Sequence, residues 1–216
     1  MHARFVVSYI NDVENGIIGD PNPDFKTALT NTLSWKGLSL SFMFDYQKGG
    51  CVYSSYLTDL LGRGVTKDTE DRLGTRILKG VYGDANTCEA IKDAEGNYIW
   101  NTTAIGEDDL WFSDGTYSTF AINSCDEVAT YDATVWRLRE VTLAYDLPKT
   151  MVNKLRLQNA QVSLVGRNLW YFAPNVPKYS NYDPVANTFG DTNIQGIDYT
   201  GAPSTRRFAV NLSLTF

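Results

Sequence analysis

The stretch RFAVNLSLTF, residues Arg207 to Phe216, alternates apolar with small or polar side chains. A period of two places the two sets on opposite faces of a β-strand. The apolar face would meet a second sheet in a soluble sandwich, and lipid in a membrane-spanning barrel. The segment has about the 9–11 residues that a tilted strand needs to cross a bilayer. Its apolar members are Phe208, Val210, Leu212, Leu214 and Phe216.

A second alternating pattern predicts a hairpin. Residues 25–35 and 38–48 both alternate, and Lys36-Gly37 is left between them as a two-residue turn. The register follows from the turn length, because cross-strand pairs must share a face. The expected pairs are Trp35–Leu38, Leu33–Leu40 and Leu29–Phe44.

Two more strands are predicted at 134–147 and 160–172. The second half of 134–147 alternates regularly, but Trp136 and Leu138 carry the apolar character in the other phase. A β-bulge near Arg139 explains this break, as does a strand that extends past the membrane. Between the two strands, the segment after Pro148 has helical character.

Short and long connections alternate along the chain. The turn after residue 35 and the link at 147–159 are short, whereas 49–133 and 173–205 are long. A barrel with short periplasmic turns and long extracellular loops produces this asymmetry, and a soluble domain rarely contains such long irregular segments. Five strands do not close a membrane barrel, and the first residues do not resemble a signal peptide. We therefore expect the chain to be a piece of a longer protein.

Composition narrows the alternatives. The chain has 216 residues, of which 43% are hydrophobic, 20% charged and 13% aromatic, and its net charge is −6. The acidic balance argues against nucleic-acid binding, which needs a basic surface. No apolar run is long enough for a transmembrane helix.

Nothing in the sequence predicts a metal site, a cofactor or an enzyme. There is one histidine, and the three cysteines match no zinc-binding spacing. Cys88 and Cys125 either form a disulfide in a loop or remain free thiols. The acidic run at 107–109 could be read as the carboxylates of a glycosidase, but a solvated loop or a partner-facing surface explains it better.

Four motifs, in this order, resemble the SusC/RagA family of TonB-linked outer-membrane transporters. They are IGDPNPDF at 18–25, WRLREVTLAYDLP at 136–148, VSLVGRNLWYF at 162–172 and RRFAVNLSLTF at 206–216. The resemblance covers nearly the whole chain. It assigns residues 1–216 to the C-terminal portion of an all-β, antiparallel transmembrane barrel, without the plug domain and the TonB box.

The family resemblance also implies a function and partners. The complete barrel would have 22 strands and import glycan oligosaccharides or peptides across the outer membrane of a Gram-negative bacterium of the Bacteroidota. It would work with a SusD-like surface lipoprotein and the TonB complex, and it would be inserted into outer-membrane lipid by the barrel assembly machinery. The alternative is a secreted or surface all-β carbohydrate-binding module without transport activity.

Aromatic residues are the candidate site residues. The long loop carries four aromatic residues that suit stacking on a substrate: Trp100, Trp111, Phe112 and Tyr117. Packing within the loop or against the lipoprotein is the favoured interpretation of these four residues. Four more are expected as anchors at the membrane interfaces: Trp35, Trp136, Trp170 and Tyr171. Phe216 is expected to be a signal for barrel assembly, a lipid-facing residue, or both.

Overall fold

Five long strands form one antiparallel sheet in the computed structural model, which describes residues 10, 14–108, 126–154, 156–185, 187–190 and 192–216. The strands follow one another in sheet order as they do in sequence. This confirms the expected antiparallel five-stranded architecture. The strands are β1 (Phe25–Trp35), β2 (Leu38–Lys48), β7 (Val135–Asp146), β8 (Asn159–Phe172) and β10 (Arg207–Thr215).

The hairpin β1–β2 has the register that the alternation predicts. Trp35 pairs with Leu38, and the other expected pairs follow along the strands. Lys36 and Gly37 both have positive φ, 47° and 85°, as a type I′ turn requires. Lysine is a poor residue for that conformation, and its ammonium lies 5.1 Å from the centre of the Trp35 ring.

The phase break in β7 is a bulge, which is one of the two explanations that the sequence left open. Met43 pairs with Glu140 but the next residue, Phe44, pairs with Leu138, so Arg139 is the extra residue. On the other side of β7, Leu138 pairs with Trp170 and Glu140 with Arg167. The bulge restores the apolar phase, because Trp136 and Leu138 return to the face that carries Val141.

The neighbouring strand β8 is irregular at the same level. Asn168 and Leu169 have no partner in β7, and Asn168 has a positive φ of 52°. Gly166 lies under this irregularity, where a Cβ atom would come within 2.8 Å of the Leu169 side chain. The Gly-Arg-Asn-Leu motif is therefore the sequence of the irregular turn of β8.

One face of the sheet is apolar and largely exposed. Aromatic residues line both ends of this face: Phe25, Tyr46, Trp136, Trp170 and Phe172 next to the long connections, and Trp35 and Tyr145 next to the hairpin turn. We call these sets the loop-side and the turn-side aromatic rows. A strand as long as β1 spans about 33 Å, or about 25 Å in height at a tilt of roughly 40°. That height equals the apolar band of outer-membrane barrels, which is about 25 Å.

The long connections contain regular structure. Antiparallel strand order brings both of them to the sheet end opposite the hairpin turn. They contain β3 (Cys51–Ser54), α1 (Ser55–Gly62), the 3₁₀ turn Lys67–Thr69, β4 (Thr75–Ile77), β5 (Ala104–Gly106), β6 (Thr130–Asp132) and β9 (Ile197–Asp198). β3 lies between β6 and β9, and β4 pairs with β5.

A small core holds these loops above the sheet. Val52, Leu57, Ala133 and Tyr182 are buried together, and Ser54 caps α1 by accepting a hydrogen bond from the Leu57 backbone N–H. The expected helical link follows Pro148 as α2 (Lys149–Lys154). Among the described residues, no helix has both the length and the hydropathy to cross a membrane.

Candidate functional site

Charged side chains collect on the polar face of the sheet, where alternation places them. Arg137 of β7 lies between two carboxylates and is only 5% exposed. Its Nη2 donates to Asp183 Oδ1 at 2.7 Å, and its Nη1 lies 3.7 Å from Asp45 Oδ2. Asp183 belongs to the long connection after β8, so this ion pair fastens that loop to the wall of the sheet.

The bulge adds a second guanidinium to the same carboxylate. Arg139 Nε donates to Asp45 Oδ2 at 2.6 Å. A regular strand would place Arg139 at an ordinary ladder position, whereas the bulge leaves it free to share the acceptor of Arg137. We call Asp45, Arg137, Arg139 and Asp183 the polar-face cluster.

A neighbouring pair extends the charged area across the sheet. Arg167 Nε donates to Glu140 Oε2 at 2.9 Å, and the Thr142 hydroxyl donates to the other oxygen of that carboxylate at 3.2 Å. Buried or half-buried charges are costly unless they are paired. Their concentration at one level of one face therefore marks this level as the main polar feature of the sheet.

A cleft of about 220 Å³ opens beside the polar-face cluster, between β1, β2 and β7. Lys26, Asp45 and both arginines line it, together with Val185 of the loop. Two buried atoms of the cluster, Asp45 Oδ1 and Arg137 Nε, have no hydrogen-bond partner within the described part of the chain. An unsatisfied buried polar atom costs about 1–3 kcal/mol, so each of the two atoms favours a further partner in the cleft.

A second cleft, of about 350 Å³, lies among the loops. Its lining includes Tyr53 of β3, Tyr199 and Asp126, and the two tyrosine rings meet edge to face at 5.8 Å. Burial raises the pKa of the Tyr53 phenol, and the nearby carboxylate of Asp126 raises it further. The phenol therefore stays protonated at neutral pH, and the cleft combines aromatic surface with hydrogen-bonding groups.

A buried carboxylate ties together the two loops that form this cleft. Asp198 of β9 is 1% exposed and accepts hydrogen bonds from the Ser54 and Thr188 hydroxyls at 3.3 and 3.1 Å. The backbone N–H of Gly201 donates to it as well, at 2.8 Å. β3 also pairs in parallel with β9, so the first and last long connections form one unit.

Of the four predicted loop aromatics, the structure describes only Trp100, and it lines neither cleft. Trp100 is 68% exposed in an irregular hairpin, where it pairs with Val81. Trp111, Phe112 and Tyr117 lie outside the described residues, as does Cys125 of the possible disulfide. In the acidic run at 107–109, Glu107 accepts a hydrogen bond from Arg76 Nε at 2.9 Å.

Three of the four expected interface anchors share the apolar face. Trp136 and Trp170 belong to the loop-side aromatic row and Trp35 to the turn-side row, and all three are about half exposed or more. Tyr171 differs from them, because it pairs with Arg137 and therefore lies on the polar face, opposite to Trp170. Phe216 is exposed directly after β10.

The sequence prediction missed the residues that build both clefts. Asp45 and Arg137 gave a weak signal, since alternation places both on the polar face, where charged residues are common. Asp183, Tyr53 and Tyr199 gave no such signal, because they are loop residues whose neighbours are distant in sequence.

Comparison with known proteins gives a consistent result, although no protein-family model matches the chain. TonB-dependent receptor P3 of Formosa agariphila is 25% identical over 210 residues, which is 96% of this chain and 18% of the relative. TonB-dependent receptor P26 of the same organism is 27% identical over 206 residues, 93% of this chain and 18% of the relative. The chain thus spans about a fifth of the length of these relatives.

Solved structures show the same fold. The RagAB peptide importer matches in its open-open state with a TM-score of 0.56 and 21% identity, over 97% of this chain and 19% of that chain. The closed-closed state of the same importer matches with a TM-score of 0.55 and 20% identity, over the same shares.

The sheet is antiparallel, with one exposed apolar face, one charged face and long connections at one end. This is the organisation of the wall of a membrane-spanning β-barrel, and the matching structures share that fold. The receptors and the importer above agree with the resemblance found in the sequence: over nearly its whole length the chain is similar to part of TonB-dependent receptors, and it has the fold of part of the RagAB importer.

Proposed function

We propose that this chain is the wall segment of a TonB-dependent importer of glycan oligosaccharides or peptides. One observation supports this most directly: the sheet has an exposed apolar face between two aromatic rows and a charged opposite face. The apolar face would contact lipid and the polar face would line the lumen. The long connections would lie outside the cell, and the hairpin turn would lie in the periplasm.

The partners are part of the same proposal. The whole receptor would take energy from the TonB complex through segments outside this chain, and it would receive its cargo from a SusD-like lipoprotein in a bacterium of the Bacteroidota. The loop unit built by β3 and β9 is the candidate contact for that lipoprotein. We also propose that Phe216, exposed after β10, is recognised by the barrel assembly machinery. On this account the protein is a transporter and carries out no catalysis.

Uptake by cells tests the proposed function. A strain that lacks the full-length receptor should lose growth on particular oligosaccharides or peptides, and the complete gene should restore it. A neighbouring lipoprotein gene, deleted separately, should give the same defect. Normal growth of the receptor deletion on every such nutrient would contradict the import function.

Solubility separates import from the alternative of a surface carbohydrate-binding module. A barrel with a lipid-facing wall needs detergent after extraction, whereas a binding module stays soluble and monomeric without it. The exposed apolar face favours the barrel. Recovery of the full-length protein in the soluble fraction without detergent would favour the module.

A further inference from the structure

We propose that the cleft beside the polar-face cluster binds a carboxylate group of the transported solute. This inference deepens the proposed import function and rests on it. The solute would carry the carboxylate next to a hydrogen-bond donor, as a sugar acid does with its hydroxyls and an acidic peptide with its amides. Three features of the cleft lead to this chemistry: its charge, its unpartnered atoms and its access.

The charge of the cleft favours an anion. Lys26, Arg137 and Arg139 line it, against the two carboxylates of Asp45 and Asp183. The two arginines are paired with these carboxylates, but Lys26 has no ion-pair partner in the described part of the chain. The cleft therefore has one positive charge more than its carboxylates neutralise. This charge is the ammonium of Lys26, which is exposed at the edge of the cleft, where a solute can reach it.

The unpartnered atoms specify the geometry of the ligand. Arg137 uses its two terminal nitrogens on Asp183 and Asp45, and its buried Nε has no hydrogen-bond partner among the described residues. A guanidinium N–H forms its strongest hydrogen bonds with carboxylates. Asp45 Oδ1 is also without a described partner, and it accepts hydrogen bonds only. A ligand that reached both atoms, which the surrounding side chains bury, would present an anionic acceptor to Arg137 and a donor to Asp45.

Access distinguishes this cluster from a purely structural salt bridge. Arg137 is nearly buried, but Arg139 is about one-third exposed, and the cleft holds about 220 Å³. That volume suits one charged group and its neighbours and is too small for a whole oligomer. The cleft would therefore contact one residue of a longer solute that moves along the polar face.

The test is the preference of the full-length receptor for acidic over neutral ligands. Binding is measured by calorimetry in detergent with two matched pairs: an oligogalacturonate against a neutral galactan oligosaccharide of equal length, and a Glu-containing peptide against its Gln-containing counterpart. The pair that shows a preference identifies the source of the carboxylate. The receptor variants are Lys26→Gln in the cleft and Lys48→Gln outside it. Lys48 has the same charge and lies on the same sheet, where it pairs with Asp24 at 3.8 Å.

The wild-type receptor should prefer the acidic member of one pair. Lys26→Gln should reduce that preference about fivefold, the effect of one unit charge at about 4 Å in water, and should leave the affinity for the neutral member unchanged. Lys48→Gln should change neither value. An unchanged preference in Lys26→Gln, or an equal loss in Lys48→Gln, overturns the carboxylate site but not the import function. Failure of the wild-type receptor to bind any of the four ligands, together with normal growth of the receptor deletion, overturns both.

Discussion

An arginine placed on the apolar face should destabilise the receptor far more than one placed on the neighbouring residue. Val141 is the position to change, because it lies in the middle of the sheet between Phe42 and Gly166. It is four residues from Tyr145 of the turn-side aromatic row, about 13 Å along the strand and about 10 Å in height. Val141 therefore lies close to the midplane of the proposed apolar band.

The expected cost follows from this depth. Arginine at the midplane of an outer-membrane barrel costs about 2–4 kcal/mol, a change of roughly 30- to 900-fold in the folding equilibrium. Thr142→Arg is the matched control, since the next residue faces the polar side and its hydroxyl already contacts Glu140. There the new guanidinium would meet a carboxylate, and we expect a change below about 1 kcal/mol.

Urea unfolding of the full-length receptor in lipid vesicles, followed by tryptophan fluorescence, measures both variants. Val141→Arg should lower the free energy of unfolding by the stated amount, and Thr142→Arg should stay near the wild-type value. Equal losses, or a greater loss for Thr142→Arg, would show that the apolar face does not contact lipid. A third variant, Tyr145→Arg, should cost less than Val141→Arg because it lies at the interface, where the penalty falls to about 0–1 kcal/mol.

Four smaller predictions concern single features of the fold. Asn31 pairs with Phe42 on the apolar face, so Asn31→Leu should raise the free energy of unfolding in vesicles by about 1–2 kcal/mol; a lower free energy of unfolding would show that this amide has a polar partner. Lys36→Asn should stabilise the hairpin by up to about 1 kcal/mol, because Asn tolerates positive φ, and a thermal melt would detect it. Gly166→Val should lower the folded fraction on unheated gels, since its side chain would meet Leu169 at 2.8 Å or less, and Ser163→Val is the control on the same strand. Burial raises the pKa of Tyr131 to about 12, so the folded loops bind this proton more tightly than the unfolded chain; stability should be full below about pH 10 and fall as the pH rises towards 12, and Tyr131→Phe should remove that part of the alkaline loss.

The alternation of the sequence was sufficient to predict the main sheet and much of its register. Side chains in a strand have a period of two, and a two-residue turn leaves one register that keeps Leu33 and Leu40 on the same face. The position of the bulge was also visible, because an extra residue reverses the phase of everything beyond it. In β8 the alternation becomes mixed around Gly166, Arg167 and Asn168, but it did not predict an irregular turn, since the apolar phase is the same before Gly166 and after Asn168.

The structure of the loops and the positions of both clefts could not be predicted from the sequence, because they depend on short strands and on contacts between distant residues. β3 and β9 contain four and two residues, too few to show a period, and their contact through Ser54 and Asp198 joins residues 144 positions apart. Tyr171 shows the converse error. Its residue type and its position near the end of a strand suggested an interface anchor. The face on which a side chain lies depends on its place in the alternation, and Tyr171 pairs with Arg137 on the polar face.

The bulge at Arg139 explains why the charges gather at this level of the sheet. With strict alternation from Tyr145 upward, Val141, Arg139 and Arg137 would share the apolar face, and two guanidinium groups would point into lipid. The extra residue reverses the phase, so that Leu138 follows Val141 on the apolar face and Arg137 turns to the polar face. Asp45 can then hold both arginines, and Arg137 can hold the loop through Asp183. A strand without Arg139 would keep the same faces, because Leu138 would then follow Glu140 in strict alternation, but Asp45 would lose its second arginine.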